Sequence, residues 1–71
     1  MLFQADMSLE DLEGLRNDLL KLENTLRQLA DKASEAQWAR LCANLEMAAD
    51  RIERAVGILT ARLEAKVRWG E

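Results

Sequence analysis

Leucine recurs along the first half of the chain at alternating intervals of three and four residues. This spacing is that of the apolar seam in a heptad repeat, which faces a partner helix. Ser8 precedes the run and is a favourable N-cap, because its hydroxyl can accept a hydrogen bond from a first-turn amide. The pattern predicts a first helix over residues 9 to 32. Its seam consists of Leu12, Leu15, Leu19, Leu22, Leu26, Leu29 and Ala33.

The same register cannot continue past Ala33. It would place Arg40 and Asp50 on a buried seam, where an unpaired charge is costly. A new apolar series therefore predicts a second helix over residues 35 to 68, after a tight turn at residues 33 and 34. This series consists of Trp38, Leu41, Leu45, Ala48, Ile52, Ala55 and Leu59, widened on one side by Cys42, Ala49, Val56 and Leu63.

Two features indicate that the chain folds back on itself rather than forming one unbroken helix. Ser34 and Gln37 have the spacing of a capping box at the start of the second helix. Residues 1 to 35 hold eight acids and four bases, net −4, whereas residues 36 to 71 hold five acids and six bases, net +1. Folding back places the acidic start of the first helix beside the basic end of the second. We expect an all-α fold, a single domain over residues 1 to 71, in which an antiparallel two-helix hairpin has a longer second helix.

A chain of 71 residues is small, and folds of this size usually need a disulfide, a metal or a partner. One cysteine cannot close an intrachain bridge, and the absence of histidine leaves no zinc-binding cluster. We therefore expect no metal and no cofactor. The hairpin should be completed by a partner or by dimerisation.

Composition also limits the class of function. The sequence offers no nucleophile paired with a base, no glycine-rich phosphate loop and no histidine, so we expect no catalytic residues and no enzyme. A net charge of −3 disfavours nucleic-acid binding. The lone thiol and the lack of a long apolar run favour a cytoplasmic protein that does not associate with a membrane.

The stretch IERAVGILTARL, residues 52 to 63, carries more apolar residues than one helix face can hold. We expect the second helix to extend beyond the first by about three turns, which would leave Leu63 without a full set of intrachain contacts. Ile58 points away from the seam, and Gly57 is a tolerated surface glycine, a point of close approach for another helix or a local kink. The predicted partner-binding residues are Ile52, Val56, Gly57, Ile58, Leu59, Leu63 and Trp69.

The sequences AQW and IERAVGIL, in a plan of two helices and a short turn, resemble the small type III secretion co-chaperones of the YscE/PscE/SsaE/EscE kind. This resemblance implies a cytoplasmic co-chaperone that docks on a tetratricopeptide-repeat chaperone. The pair would then keep the needle subunit soluble and monomeric before export. It also implies that the segment meeting the chaperone includes Ile52, Val56, Ile58 and Leu59.

The alternative is a self-assembling protein, in which two hairpins form a homodimeric four-helix bundle. Such a protein would have a regulatory or structural role, as an RNA-binding regulator or a phage-type inhibitor of a host protein. The acidic first helix disfavours RNA binding but not dimerisation. A homodimer when the protein is free is compatible with either function.

Overall fold

The computed structural model describes residues 7–69, which form two α-helices and, within that range, no strand. Helix α1 spans Leu9–Glu35 and helix α2 spans Ala39–Arg68. The two helices pack against each other as an antiparallel hairpin that measures 49 × 27 × 14 Å. The predicted all-α hairpin with a longer second helix is confirmed.

Helix α1 begins as its sequence predicts. Ser8 has extended backbone angles, φ −67° and ψ 162°, and its Oγ accepts a hydrogen bond from the Asp11 amide at 3.1 Å. Glu10 and Asp11 lie in the first turn, where negative charge is favourable beside the unpaired amides. The N-cap assignment of Ser8 is confirmed.

The turn between the helices lies at residues 36 to 38, not at residues 33 and 34 as the sequence predicted. The predicted bounds of 9 to 32 and 35 to 68 are therefore wrong near the turn, because α1 continues to Glu35 and α2 starts only at Ala39. The expected capping box is wrong for the same reason. Ser34 lies within the last turn of α1, and α2 starts at Trp38 without a side-chain cap.

Backbone hydrogen bonds explain where α1 ends. The Trp38 amide donates to the Ala33 carbonyl at 2.8 Å, and the Gln37 amide donates to the Ser34 carbonyl at 3.0 Å. This pair of bonds is the Schellman motif, which requires a left-handed residue just after the helix. Gln37 fills that position with φ 65°. Glycine is the usual residue there, and its absence from this stretch hid the helix end from sequence analysis.

We expect Gln37→Gly to stabilise the fold by about 1 kcal/mol, because glycine adopts a left-handed conformation without the steric cost that a side chain brings. Urea unfolding followed by circular dichroism measures the effect. Gln28→Gly is the matched control. Gln28 is exposed to solvent in the middle of α1, far from both helix ends, and the same change there should destabilise the fold by about 1 kcal/mol. Equal signs for the two variants would contradict the turn geometry.

The two helices are nearly equal in length. Helix α2 has 30 residues and α1 has 27, and this difference of three residues is less than one helical turn. The expected overhang of three turns is therefore wrong. It followed from ending α1 too early, and α1 reaches far enough to cover Leu63, which is only 7% exposed.

The interior of the hairpin is thin. Leu12 and Leu63 are the only large apolar residues in the described range that count as buried, and no large side chain there is completely enclosed. The other buried apolar residues are Ala30, Ala33 and Ala49, together with one charged residue, Lys66. Because alanine side chains are short, α1 and α2 can approach each other closely where these three alanines lie. The same short side chains remove little apolar surface from water.

Candidate protein-binding surface

Half of the leucine seam of α1 does not face α2. Leu15, Leu22 and Leu29 are 38%, 45% and 44% exposed, and their spacing of seven residues aligns them in a row along the helix. The interior row of α1 is instead formed by Leu9, Leu12, Arg16, Leu19, Glu23, Leu26, Ala30 and Ala33, none of which is fully exposed. The prediction that the whole leucine seam is core is therefore wrong for one row of three.

The same rotation applies to α2. The predicted widening row, Cys42, Ala49, Val56 and Leu63, contains the most buried apolar positions of the helix. The main predicted series of α2 is rotated about the helix axis away from α1. Its members are half-buried except for Leu41 and Trp38, which are exposed. This arrangement leaves an apolar flank on α2 as well.

The apolar flanks of α1 and α2 lie on one side of the hairpin. Leu29 of α1 lines the same depression as Trp38, Leu41 and Leu45, and the volume of this depression is about 390 Å³. Continuing both rows by helical spacing gives one surface, which we call the leucine face. Its members are Leu15, Leu22, Leu29, Trp38, Leu41, Leu45, Ala48, Ile52, Ala55 and Leu59.

The opposite side of the hairpin is polar. Arg27 donates to Glu23 on its own helix at 2.9 Å, and its guanidinium reaches Asp50 and Glu53 of α2 at 3.4 and 3.2 Å. The hydrogen bond that Arg27 donates to the Glu23 carboxylate is the main cause that raises the pKa of Arg27 above its usual value. The pairs with Asp50 and Glu53 are exposed to solvent and add little stability, so this side of the hairpin is hydrated.

A second depression, of about 510 Å³, lies at the open end of the hairpin and has a different character. Glu13, Arg16, Glu64 and Arg68 contribute to its lining beside Leu63 and Val67. The Nε atom of Arg16 is buried there without a hydrogen-bond partner. Charges of both signs surround this depression, so it does not extend the leucine face.

The structure distributes the predicted partner-binding residues over several environments. Ile52 and Leu59 belong to the leucine face, and Val56 is half-buried next to it. Leu63 is buried in the hairpin, so the expectation that it lacks a full set of intrachain contacts is wrong. Gly57, Ile58 and Trp69 are exposed, Trp69 as the C-cap residue of α2. Whether any of them binds a partner stays a prediction.

Gly57 is open to solvent and is not enclosed by the chain. A Cβ atom built on Gly57 meets nothing within 4 Å, and the same holds for Gly14 in α1. Ile58, the next residue, is 71% exposed. The hairpin itself therefore gives no steric reason for a glycine at position 57.

We expect Gly57→Ala to stabilise the helix by about 1 kcal/mol, because alanine loses less backbone entropy in a helix and meets no clash here. Urea unfolding measures this gain, and Gly14→Ala is the matched control with the same expected gain. The substitution should leave partner binding unchanged, since position 57 is not on the leucine face. Weakened binding for Gly57→Ala alone would show that a partner helix approaches α2 there instead.

Cys42 offers no reactive group. It is half-buried in α2, and desolvation raises the pKa of its thiol, helped by the negative charges of Glu46 and Asp31. A raised pKa keeps the thiol protonated at neutral pH, and the protonated thiol is a poor nucleophile and metal ligand. Between residues 7 and 69, no three acidic or cysteine side chains are grouped so that they could hold a metal ion.

Neither helix of the described part of the chain combines the length and apolar character needed to cross a membrane. Comparison with known proteins adds no relative: the chain matches no protein-family model, no curated protein and no solved structure.

Sequence reasoning placed Leu15, Leu22 and Leu29 in the core and so missed them as surface residues. A signal was present in the first helix, since Leu9 and Ala30 lie beside the seam and make the apolar stripe wider than one partner helix can cover. A stripe of that width indicates contact with two neighbours. In the hairpin α2 supplies only one of them.

Proposed function

We propose that this protein is a binding subunit, a helical hairpin whose leucine face packs against a second helical protein. Binding, and not catalysis, is the activity we assign to it. The observation that carries the proposal is the 45% exposure of Leu22, in the middle of a leucine row, in a hairpin whose own interior is filled mainly by alanine.

Energetics support this assignment. Full burial of a leucine side chain contributes about 1.5 to 3 kcal/mol, so covering the exposed part of each row member contributes about 1 kcal/mol. Leu15, Leu22 and Leu29 together offer about 3 kcal/mol, and a few such anchors often dominate an interface. A hairpin with so thin an interior gains stability when another protein layer covers this face.

The depression at the turn end is the natural place for an anchoring side chain. It is lined by Leu29, Leu41, Leu45 and Trp38, and Trp38 is 63% exposed at its edge. Concave apolar sites of this kind accept one large apolar side chain from a partner helix. Tryptophan is also a frequent hot-spot residue, because it contributes a large contact area with few rotatable bonds.

Within this class we propose the specific role that the resemblance implies, a cytoplasmic co-chaperone of type III secretion. The partner would be a tetratricopeptide-repeat chaperone, whose grooves are lined by helices, and the pair would keep a needle subunit soluble and monomeric. Neither nucleic acid nor a membrane takes part in this proposal. The length of the chain, its two-helix plan and the sequence IERAVGIL support it.

Co-expression with a tetratricopeptide-repeat chaperone and a needle subunit from the same genome tests the role. We expect the three chains to co-elute as one complex, and Leu41→Lys to weaken binding to the chaperone at least 30-fold in calorimetry, equivalent to about 2 kcal/mol. Met47→Lys is the matched control, since Met47 is also an exposed apolar residue of α2 but does not line the depression. A genome without such a pair, or equal effects of the two variants, would contradict the proposal.

A further inference from the structure

We infer that a second copy of this chain covers the leucine face when no other partner is bound, so that two hairpins form a four-helix bundle. In this bundle α1 of one copy lies on α2 of the other. The inference rests on the proposed function, because it assigns an occupant to the same face.

The area of the face is sufficient for a stable dimer. Helix α1 has 27 residues and is therefore about 40 Å long, and two packed helices present a width of about 20 Å. Their product is about 800 Å², close to the roughly 800 Å² that each partner buries in a protein interface of standard size. The hairpin is also a flat body, 49 × 27 Å in its long directions and only 14 Å in the third. A flat body of this kind can pack face to face with a copy of itself.

Charge favours the leucine face over the other side of the hairpin. None of the ten members of the leucine face is ionisable, and Arg62, which continues the row of Ala48 and Ala55 at the same spacing, is the charged residue that lies at its end. The opposite side carries Arg27, Asp50 and Glu53, whose charges would have to be desolvated in a symmetric contact. Self-association through the leucine face therefore has the smaller electrostatic cost.

Side-chain size favours laying α1 on α2 of the other copy. The exposed row of α1 is made of large residues, whereas the neighbouring row of α2 contains Ala48 and Ala55. In antiparallel helices the residue numbers at one level have a nearly constant sum, and the contacts of Arg27 with Asp50 and Glu53 give sums of 77 and 80. Leu22 is thus level with residues 55 to 58, and Leu29 is level with residues 48 to 51.

A two-fold axis parallel to the helices leaves the height of every residue along the helices the same in both copies. It brings Leu22 of one copy close to Ala55 of the other, and Leu29 close to Ala48, so that these two large side chains meet small ones, whereas Leu15 lies near Arg62. Such alternation of large and small side chains lets two apolar layers interdigitate without overpacking. The other two-fold arrangement lays α1 on α1 and sets Leu22 against its own copy.

Sedimentation equilibrium of the full chain over a wide range of concentration tests the dimer. The chain has a mass of 8.1 kDa, and we expect the measured mass to rise to twice that value and the thermal midpoint to rise with concentration. Ala55→Lys should raise the dissociation constant of the dimer at least 30-fold. Ala61→Lys, an equivalent change at an exposed alanine of the same helix, should leave it unchanged. A mass of 8.1 kDa at every concentration, or equal effects of the two lysines, would overturn the inference.

Disulfide trapping tests the arrangement. In a Cys42→Ser background, a chain with Leu22→Cys is mixed with one with Ala55→Cys and oxidised, and we expect mixed covalent dimers to form first. A disulfide needs Cα atoms within about 7 Å, and the two copies of position 22 lie about 14 Å apart on the diagonal of the bundle. Preferential formation of dimers linked through position 22 alone would overturn the arrangement.

The dimer and chaperone-binding measurements together distinguish failure of this inference from failure of the proposed function. A chain that stays monomeric but binds the chaperone through Leu41 overturns the dimer and supports the proposed function. A dimer that Ala55→Lys disrupts, together with no binding of the chaperone, supports the inference and overturns the proposed function.

Discussion

Leu63→Asp is expected to unfold the hairpin. Leu63 and Leu12 are the only large apolar residues of the described chain with less than a tenth of their surface exposed, so the interior depends on both. The change removes about 1.5 to 3 kcal/mol of apolar burial and adds the cost of placing a carboxylate in the interior. This total is comparable to the whole stability of a small domain. Circular dichroism at 222 nm measures the loss of helix.

Ile58→Asp is the matched control for this prediction. Ile58 lies in the same helix and carries a side chain of equal size, but it is 71% exposed. We expect this variant to keep the helical signal of the wild type, because an exposed carboxylate remains hydrated. Similar unfolding by both substitutions would show that the helix pair is rotated differently from the structure described above.

Leu22→Asp is expected to abolish assembly at the leucine face. The carboxylate would occupy the centre of the face and would be desolvated without a counter-charge when a second layer covers it. We expect binding of the proposed chaperone partner, and the inferred self-association in its absence, to weaken by more than about 100-fold, equivalent to about 3 kcal/mol. Analytical ultracentrifugation and calorimetry measure the two effects.

Leu20→Asp provides an unusually close comparison. Leu20 is 43% exposed, has the same chemical identity and lies two residues away on the same helix. Two residues rotate the side chain by about 200°, which takes it off the leucine face. We expect this variant to assemble like the wild type. Equal losses for the two variants would contradict a one-sided interface, and a larger loss for Leu20→Asp would place the interface on the other side.

The two helices, the N-cap and the hairpin could be predicted from the sequence because each depends on local signals. The seven-residue recurrence from Leu12 to Ala33 identifies α1 without reference to α2. Ser8 acts within one turn of the chain, so its role follows from its position alone. The break of register after Ala33 was also visible, because continued helix would have buried Arg40.

The turn could not be placed because its geometry contradicts residue preference. Gln37 occupies a left-handed position that glycine usually fills, and only the pair of backbone hydrogen bonds around it identifies the helix end. This error ended α1 at residue 32 instead of Glu35 and created an overhang that does not exist. It also led to the wrong expectation for Leu63.

The orientation of the leucine row could not be predicted either, because it depends on both helices at once. Periodicity gives a stripe but not the part of the stripe that faces the partner helix. Contact at Ala30 and Ala49, where short side chains allow the helices to approach, turns Leu22 outward and brings Glu23 to the edge of the contact. A rule that assigns every leucine of a heptad seam to the core cannot describe this case.

Another protein layer is proposed to cover the leucine face. The most direct test is the paramagnetic relaxation enhancement that a soluble probe causes at leucine methyl protons. A soluble gadolinium chelate is added to methyl-labelled protein, first dilute and then assembled with its partner or with a second copy. We expect assembly to slow the relaxation of the Leu22 methyl protons several-fold and to leave that of the Leu20 methyl protons unchanged. Unchanged relaxation at Leu22, or protection that appears at Leu20 instead, would contradict an interface on the leucine face.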